Sequence, residues 1–149
     1  MEIREVLTER RRYMELLLMG DEQEDMIERY LERGEMFALH EGDVPVAVCV
    51  ITQEAGNPFE LKNLAVSPGF RRRGYGSRLV EQMLRRYAGP GRRMEVGTGE
   101  VPGTLAFYRH CGFSECRRVT GFFTKFYRHP IFEEGVQLRD MIYLSQRLG

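Results

Sequence analysis

The apolar positions change period several times along the chain, and each change marks an element. Ile3 and Val6 make residues 1–6 a short candidate strand. Thr8 is placed to cap a helix that buries Tyr13, Leu16, Leu17 and Leu18 and ends near Gly20; Arg11 stands three residues on, so the capping box is incomplete. Asp21 predicts the start of a second helix, with Glu22 and Glu24 in its first turn, a stripe of Met26, Ile27, Tyr30 and Leu31, and Gly34 as C-cap.

Residues 36–40 and 44–52 predict paired strands joined by a turn at Glu41-Gly42-Asp43, with Pro45 weakening only the start of the second. A turn at Ala55-Gly56-Asn57-Pro58 leads into a mostly buried strand over 60–66, carried by Leu61, Leu64, Ala65 and Val66 and stopped by Pro68-Gly69. From Leu79 the spacing becomes helical: Leu79, Val80, Met83, Leu84 and Tyr87 share one stripe, and Arg78, Glu81, Gln82, Arg85 and Arg86 take the other faces. Gly89-Pro90-Gly91 ends that helix. A strand over 94–96 follows, then Gly97-Thr98-Gly99, a short helix over 104–110 closed by Cys111-Gly112-Phe113, and strands over 115–123 and 138–144. The segment 124–137, with His129-Pro130 and Glu133-Glu134-Gly135, is long for a hairpin loop and is a place to expect function or variation. The predicted order is β-α-α-β-β-β-α-β-α-β-β, with no repeat, low-complexity tract or linker.

The chemistry concentrates between the 60–66 strand and the helix after it, where the loop reads Arg71-Arg72-Arg73-Gly74-Tyr75-Gly76. A helix N-terminus leaves several backbone N–H groups unpaired and carries the positive end of the dipole, so Gly74 and Gly76 give an anion access to the backbone. The arginines add charge suited to phosphate oxygens. The ligand is not a P-loop nucleotide, since G-x-x-x-x-G-K-S/T needs a Lys that does not follow Gly76. A dinucleotide fingerprint needs a third Gly where Leu79 stands.

The charge balance changes the picture only by exclusion. With 22 basic and 22 acidic side chains in 149 residues the net charge is zero, so no global field draws the chain to nucleic acid or to an anionic membrane. The length suits one domain over residues 1–149. No apolar run approaches the roughly 20 residues of a membrane span, and the first residues lack the apolar core of a signal peptide, so a cytoplasmic location is expected. Cys49, Cys111 and Cys116 form no C-x-x-C pair, which suits reduced thiols, with Cys49 and Cys111 packed. His40, His110 and His129 lack metal-ligand spacing, and no metal is expected.

Arg71-x-x-Gly74-x-Gly76, behind a strand ending Leu-Ala-Val, resembles the acetyl-CoA-binding motif of the GNAT N-acetyltransferase superfamily, Gln/Arg-x-x-Gly-x-Gly/Ala. Leu105-Ala106-Phe107-Tyr108-Arg109-His110-Cys111-Gly112-Phe113 resembles the family's F-Y-x-x-x-G-F segment, with Tyr108 at the tyrosine position. Gly97-Thr98-Gly99-Glu100 and Asp140-Met141-Ile142 are similar to the G-T-G-N and D-M-I segments of a bacterial subgroup. Many relatives carry an Asn and an Ala where this chain has Val101 and Thr104, and Glu100 replaces the subgroup Asn, so no side-chain contact carries over from that approach loop.

The likeness spans nearly the whole chain and implies an α/β (α+β) fold of the acyl-CoA N-acyltransferase type: one mixed, twisted sheet with helices on both faces, whose 60–66 and 94–96 strands run parallel and then splay. It implies that the pantetheine arm pairs with the backbone of Leu64, Ala65 and Val66, and that the pyrophosphate lies over Arg71, Arg72, Arg73, Gly74, Tyr75, Gly76 and Ser77. Acetyl-CoA is then the co-substrate and the primary amine of a small molecule or amino-acid-like compound the acceptor. A lysine-like amine, reference pKa about 10.4, costs roughly 4.6 kcal/mol to deprotonate at pH 7. Glu60 is the candidate base, at the strand position where some family members place a carboxylate, working through water or with a raised pKa. The N–H near Val66 is the candidate oxyanion donor. Tyr108 is the candidate acid: transfer from a phenol to a fresh thiolate is uphill by about 2 kcal/mol on reference values. Glu133 and Glu134 fit a solvated loop better than an attractor of cations. A non-catalytic acetyl-CoA or acyl-CoA sensor stays open beside the enzyme, as does a homodimer through the C-terminal strands.

Overall fold

The computed structural model describes residues 1–55 and 58–149, so the predicted turn at Ala55-Gly56-Asn57-Pro58 lies partly outside the described residues. The elements run β1 (Glu2–Glu5), α1 (Met14–Gly20), α2 (Glu24–Glu28), β2 (Glu35–Glu41), β3 (Val44–Gln53), β4 (Phe59–Val66), α3 (Tyr75–Arg86), β5 (Arg93–Gly99), α4 (Pro102–His110), β6 (Ser114–Val119), α5 (Phe122–Phe126), β7 (Phe132–Glu133), β8 (Val136–Gln137) and β9 (Met141–Arg147). Seven strands make one sheet in the order β1-β2-β3-β4-β5-β9-β6, and β7 and β8 form a separate hairpin. Among the described residues only the β4–β5 pairing in the large sheet is parallel. Among the described residues no helix is long and apolar enough to cross a membrane.

Strand alternation gives the sheet two apolar faces, and each is covered. On one, Leu79, Val80 and Met83 of α3 and Leu105 and Tyr108 of α4 pack on Leu39, Cys49, Ile51, Leu61, Met94 and Val96. On the other, Leu16 and Leu17 of α1 and Ile27 of α2 pack on Met36, Ala38, Val48, Val50 and Ala65. Leu61 and Ala65 are four apart, yet they belong to opposite cores, which a regular strand forbids. The register supplies the reason: Ile51 pairs with Leu61 and Val50 with Asn63, so Lys62 is an extra residue, a β-bulge that flips the strand's parity.

Three predicted elements move. The second helix begins at Glu24 rather than Asp21, because the Asp21 carboxylate accepts bonds from the Tyr30 and Tyr127 hydroxyls at 3.0 and 2.6 Å instead of capping. The strand expected over 115–123 ends at Val119; Gly121, at φ 69°, turns the chain into α5. The last strand covers Met141–Arg147 rather than 138–144, and the long loop holds the end of α5 and the β7–β8 hairpin.

α1 reaches β4 closely enough to fix the bulge. Asn63 Nδ2 donates to Leu17 O and to Tyr30 Oη, both at 3.0 Å, and a β-carbon on Gly20 would lie 2.3 Å from Asn63 Oδ1 and 2.9 Å from Leu64 O. Gly20→Ala is therefore expected to destabilise the protein by about 1–3 kcal/mol, a drop of several degrees in Tm. Gly69→Ala, with nothing within 4 Å of the new carbon, should leave Tm nearly unchanged. Paired thermal melts check this, and equal melting temperatures would contradict the close packing.

Candidate active site

Beyond the bulge the sheet opens. β4 and β5 pair only at Phe59–Met94, Glu60–Glu95 and Leu61–Val96; β5 then follows β9 as far as Gly99–Met141, while β4 follows β3 as far as Val66–Ala47. Ser67 N–H donates to Val46 O at 2.8 Å. Alternation from that bond directs the backbone groups of Ala65 and Asn63 to β3 and those of Leu64 and Val66 into the gap. A cleft of about 970 Å³ occupies this gap.

The arginine loop closes one end. Gly74 precedes α3 at φ 79°, with no side chain capping the helix, so the first-turn amides are open to a ligand. Arg72 also has positive φ, at 62°. Arg71 Nε donates to Val66 O at 3.1 Å, which ties the loop to the open strand end, and the Arg73 guanidinium lies 5.7 Å from the centre of the Phe70 ring. Arg71, Arg72 and Arg73 have no carboxylate partner among the described residues, so no side chain there neutralises their charge. A β-carbon on Gly76 would touch Val66 and Phe107, each at 3.4 Å. The glycine keeps the cleft narrow where helix, strand and α4 meet.

Of the residues expected to act, Leu64, Val66, Arg71, Arg72, Gly74, Tyr75, Gly76, Ser77 and Tyr108 line this one cleft. Ala65 faces the α1–α2 core and Arg73 stands outside the wall. Tyr108 is 8% exposed, packed edge-on to Phe107 and Phe113, and its hydroxyl has no hydrogen-bond partner among the described residues. Burial, with the thiol of Cys111 and the carboxylate of Glu133 nearby, raises its pKa and keeps the phenol protonated. Glu60 is buried beside the cleft rather than on its wall. Its carboxylate pairs with Lys62 Nζ at 2.9 Å, and burial raises its pKa against the pull of that ammonium.

Sequence reading gave no role to Lys62, named Phe107 only as part of the F-Y segment and favoured a solvated loop for Glu133, yet all three line the cleft. The only sequence signal for Lys62 was the broken alternation between Leu61 and Leu64; Glu133 lay in the long segment already marked as a place for function or variation. The Glu100 departure has a structural place: its carboxylate grips Arg118 at 2.6 and 2.8 Å. Val101 is fully buried beside Phe123 and Leu138. Among the described residues no cluster of His, Cys, Asp and Glu is arranged to hold a metal ion.

The acetyltransferase (GNAT) domain model matches residues 32–115, more than half of the chain. The chain belongs to the GNAT acetyltransferase family. A Bacillus subtilis (strain 168) protein described as the uncharacterized N-acetyltransferase YvbK is 34% identical over 132 residues, 87% of this chain and 85% of that relative. Among solved structures, a Bacillus subtilis acetyltransferase in complex with CoA is 30% identical, covering 98% and 97% of the two chains with a TM-score of 0.87. A GNAT family acetyltransferase from Elizabethkingia anophelis with acetyl-CoA bound is 26% identical, covers 98% and 97%, and has a TM-score of 0.89. This GNAT acetyltransferase thus has the family's mixed sheet, and acetyl-CoA is its co-substrate.

Gly74→Val separates the loop's conformation from its packing. At φ 79° a side chain costs roughly 1–2 kcal/mol, but nothing lies within 4 Å to clash with it. The variant should fold, with Tm a few degrees lower, and lose most of the stabilisation that acetyl-CoA gives the wild type in a thermal-shift titration. Gly76→Ala should lose much less. A full ligand-induced shift in Gly74→Val would remove the phosphate role of the loop.

Proposed function

We propose that the chain, acting as one unit over residues 1–149, transfers the acetyl group of acetyl-CoA to the primary amine of a small molecule by direct attack. The observation that carries this reading is the convergence, in one cleft, of an open strand edge, an arginine loop at a helix N-terminus and a buried phenol, the arginines without a carboxylate and the phenol without a hydrogen-bond partner among the described residues. Each supplies a different requirement of the reaction. A cytoplasmic location and a free small amine as acceptor belong to the same reading.

The amides of Leu64 and Val66 meet the thioester arm as a neighbouring strand would. Arg71, Arg72 and Arg73, with the first-turn amides of α3, hold the phosphates at a distance from the reacting carbon. The Val66 N–H stands ready for the negative charge that grows on the thioester oxygen; a donor fixed before reaction needs no reorganisation when charge appears. Tyr108 gives its proton to the departing sulfur. Its raised pKa makes the phenolate short-lived, so the proton must be recovered from the product nitrogen or solvent in the same turnover.

Glu60 acts, on this reading, through Lys62. The ion pair at 2.9 Å fixes the ammonium on the wall and leaves the buried carboxylate one side chain behind it.

Tyr108→Phe tests the acid role, because it removes a hydroxyl that bonds to no described protein group. Tm and acetyl-CoA affinity should hold, while kcat falls by about 10²-fold, the lower end of the usual range for general acid catalysis, since water can replace the phenol. The result that contradicts the role is an unchanged kcat where chemistry limits the rate.

A further inference from the structure

A second cavity, of about 90 Å³, opens off the cleft beneath the β7–β8 hairpin. Its floor is apolar, made by Phe123, Tyr127, Ile131, Leu138 and Met141. Its rim is acidic, with Asp21, Glu22 and Glu133. Among the described residues Lys62 is the one cation on that rim, and it is already paired with Glu60.

Both acids of the hairpin border the main cleft, and only Glu133 also lines the side cavity. Glu134 at φ 49° and Gly135 at φ 77° form a two-residue turn with both φ positive, and Leu138 N–H closes the hairpin on Ile131 O at 2.8 Å. Alternation puts Phe132, 58% exposed, and Glu133 on opposite faces of the hairpin; both border the main cleft, and of the two only Glu133 also lines the side cavity. The Glu134 carboxylate lies against Gly103 in the first turn of α4, where the helix dipole favours it. Asp21 is held by two tyrosine hydroxyls. Glu133 has no hydrogen bond or ion pair among the described residues, and its charge is felt at the Tyr108 phenol.

We propose that this side cavity is the acceptor pocket, that it takes a primary amine with a compact apolar body and no carboxylate beside the nitrogen, and that Glu133 removes the amine's proton. The proposal rests on the transfer reading above. At about 90 Å³ the cavity is roughly a tenth of the main cleft, so only a compact body fits the floor. A carboxylate on the acceptor would face Glu22 and Glu133 with no free cation on the rim.

The step balances. The ammonium gives one proton to the Glu133 carboxylate, and the amine's lone pair forms the C–N bond as the C–S bond breaks. The thiolate takes the Tyr108 proton, the surplus proton on nitrogen restores the phenol through solvent, and Glu133 releases its proton to water. Burial, then the charges of Glu22 and Glu134, raise the Glu133 pKa and make it a better base than an exposed carboxylate. Because the base form exists above that pKa, kcat/KM falls as the pH drops through it. The groups facing Glu133 are Asp21 and Glu22 from the loop after α1, Lys62 from β4, Tyr108 from α4, Tyr127 after α5, and Glu134.

The test compares wild type with Glu133→Gln by thiol release from acetyl-CoA, using isopentylamine and leucine, which is the same amine with a carboxylate on the carbon bearing nitrogen. The wild type should prefer isopentylamine. Glu133→Gln should lower kcat/KM for isopentylamine by about 10²–10⁴-fold at neutral pH, lose the acidic limb, recover in part at alkaline pH where the amine is already neutral, and keep the acetyl-CoA thermal shift. Wild-type kinetics in Glu133→Gln overturn the base, and preference for leucine overturns the acceptor class. A wild type that binds acetyl-CoA but turns over neither amine overturns this pocket assignment, and if a wider amine panel also fails, the transfer reading falls with it. Should Glu133→Gln melt early, Glu133→Asp, one methylene shorter, must keep the acidic limb at a lower rate, and loss of that limb counts against the base.

Discussion

Everything in the site follows from the place where two parallel strands stop bonding to each other. Parallel strands in a sheet interior normally satisfy each other's backbone groups, and unpaired buried N–H and C=O groups are rare because each costs roughly as much as a lost hydrogen bond. Here the extra residue Lys62 shifts β4 out of step with β5, and β5 stays with β9. The cost is concentrated at Leu64 and Val66. Val66 O is already met by Arg71, and the groups that remain open are what an extended ligand would satisfy.

The bulge is held from both sides. Asn63 reaches the end of α1 and the Tyr30 hydroxyl, Tyr30 donates to Asp21, and Tyr127 donates to the same carboxylate. Gln23 extends the link, donating to Phe126 O and accepting from Arg128 N–H. One polar chain thus ties the central strand to the segment carrying the hairpin, so the two walls of the cleft cannot move independently at small cost. The charges divide along the same line: among the described residues, arginines without a carboxylate partner stand at one end and Glu22 and Glu133, without a cationic one, at the other.

How far sequence could be read depended on whether local signals or distant partners decided each element. The α3 stripe and the Gly74 turn are local, and both stand where periodicity and glycine chemistry put them. The 60–66 strand was legible as a strand, but its bulge was not, since ELKNLAV shows only a three-residue step between Leu61 and Leu64. Asp21 has the composition of a helix start and is diverted by Tyr127, more than a hundred positions away. Phe122 and Phe123 favour a strand by type, and Gly121 at positive φ overrides them. Glu60 had the right spacing for a base, while its pairing with Lys62 and its place off the wall are three-dimensional facts.

Amide hydrogen exchange reports directly on the open edge. On addition of acetyl-CoA the Leu64 and Val66 amides should slow strongly, while those of Asn63 and Ala65, already bonded to β3, should change little. Protection confined to residues 74–77, with Leu64 and Val66 exchanging as fast as before, would contradict the claim that the strand gap is where the ligand completes the sheet.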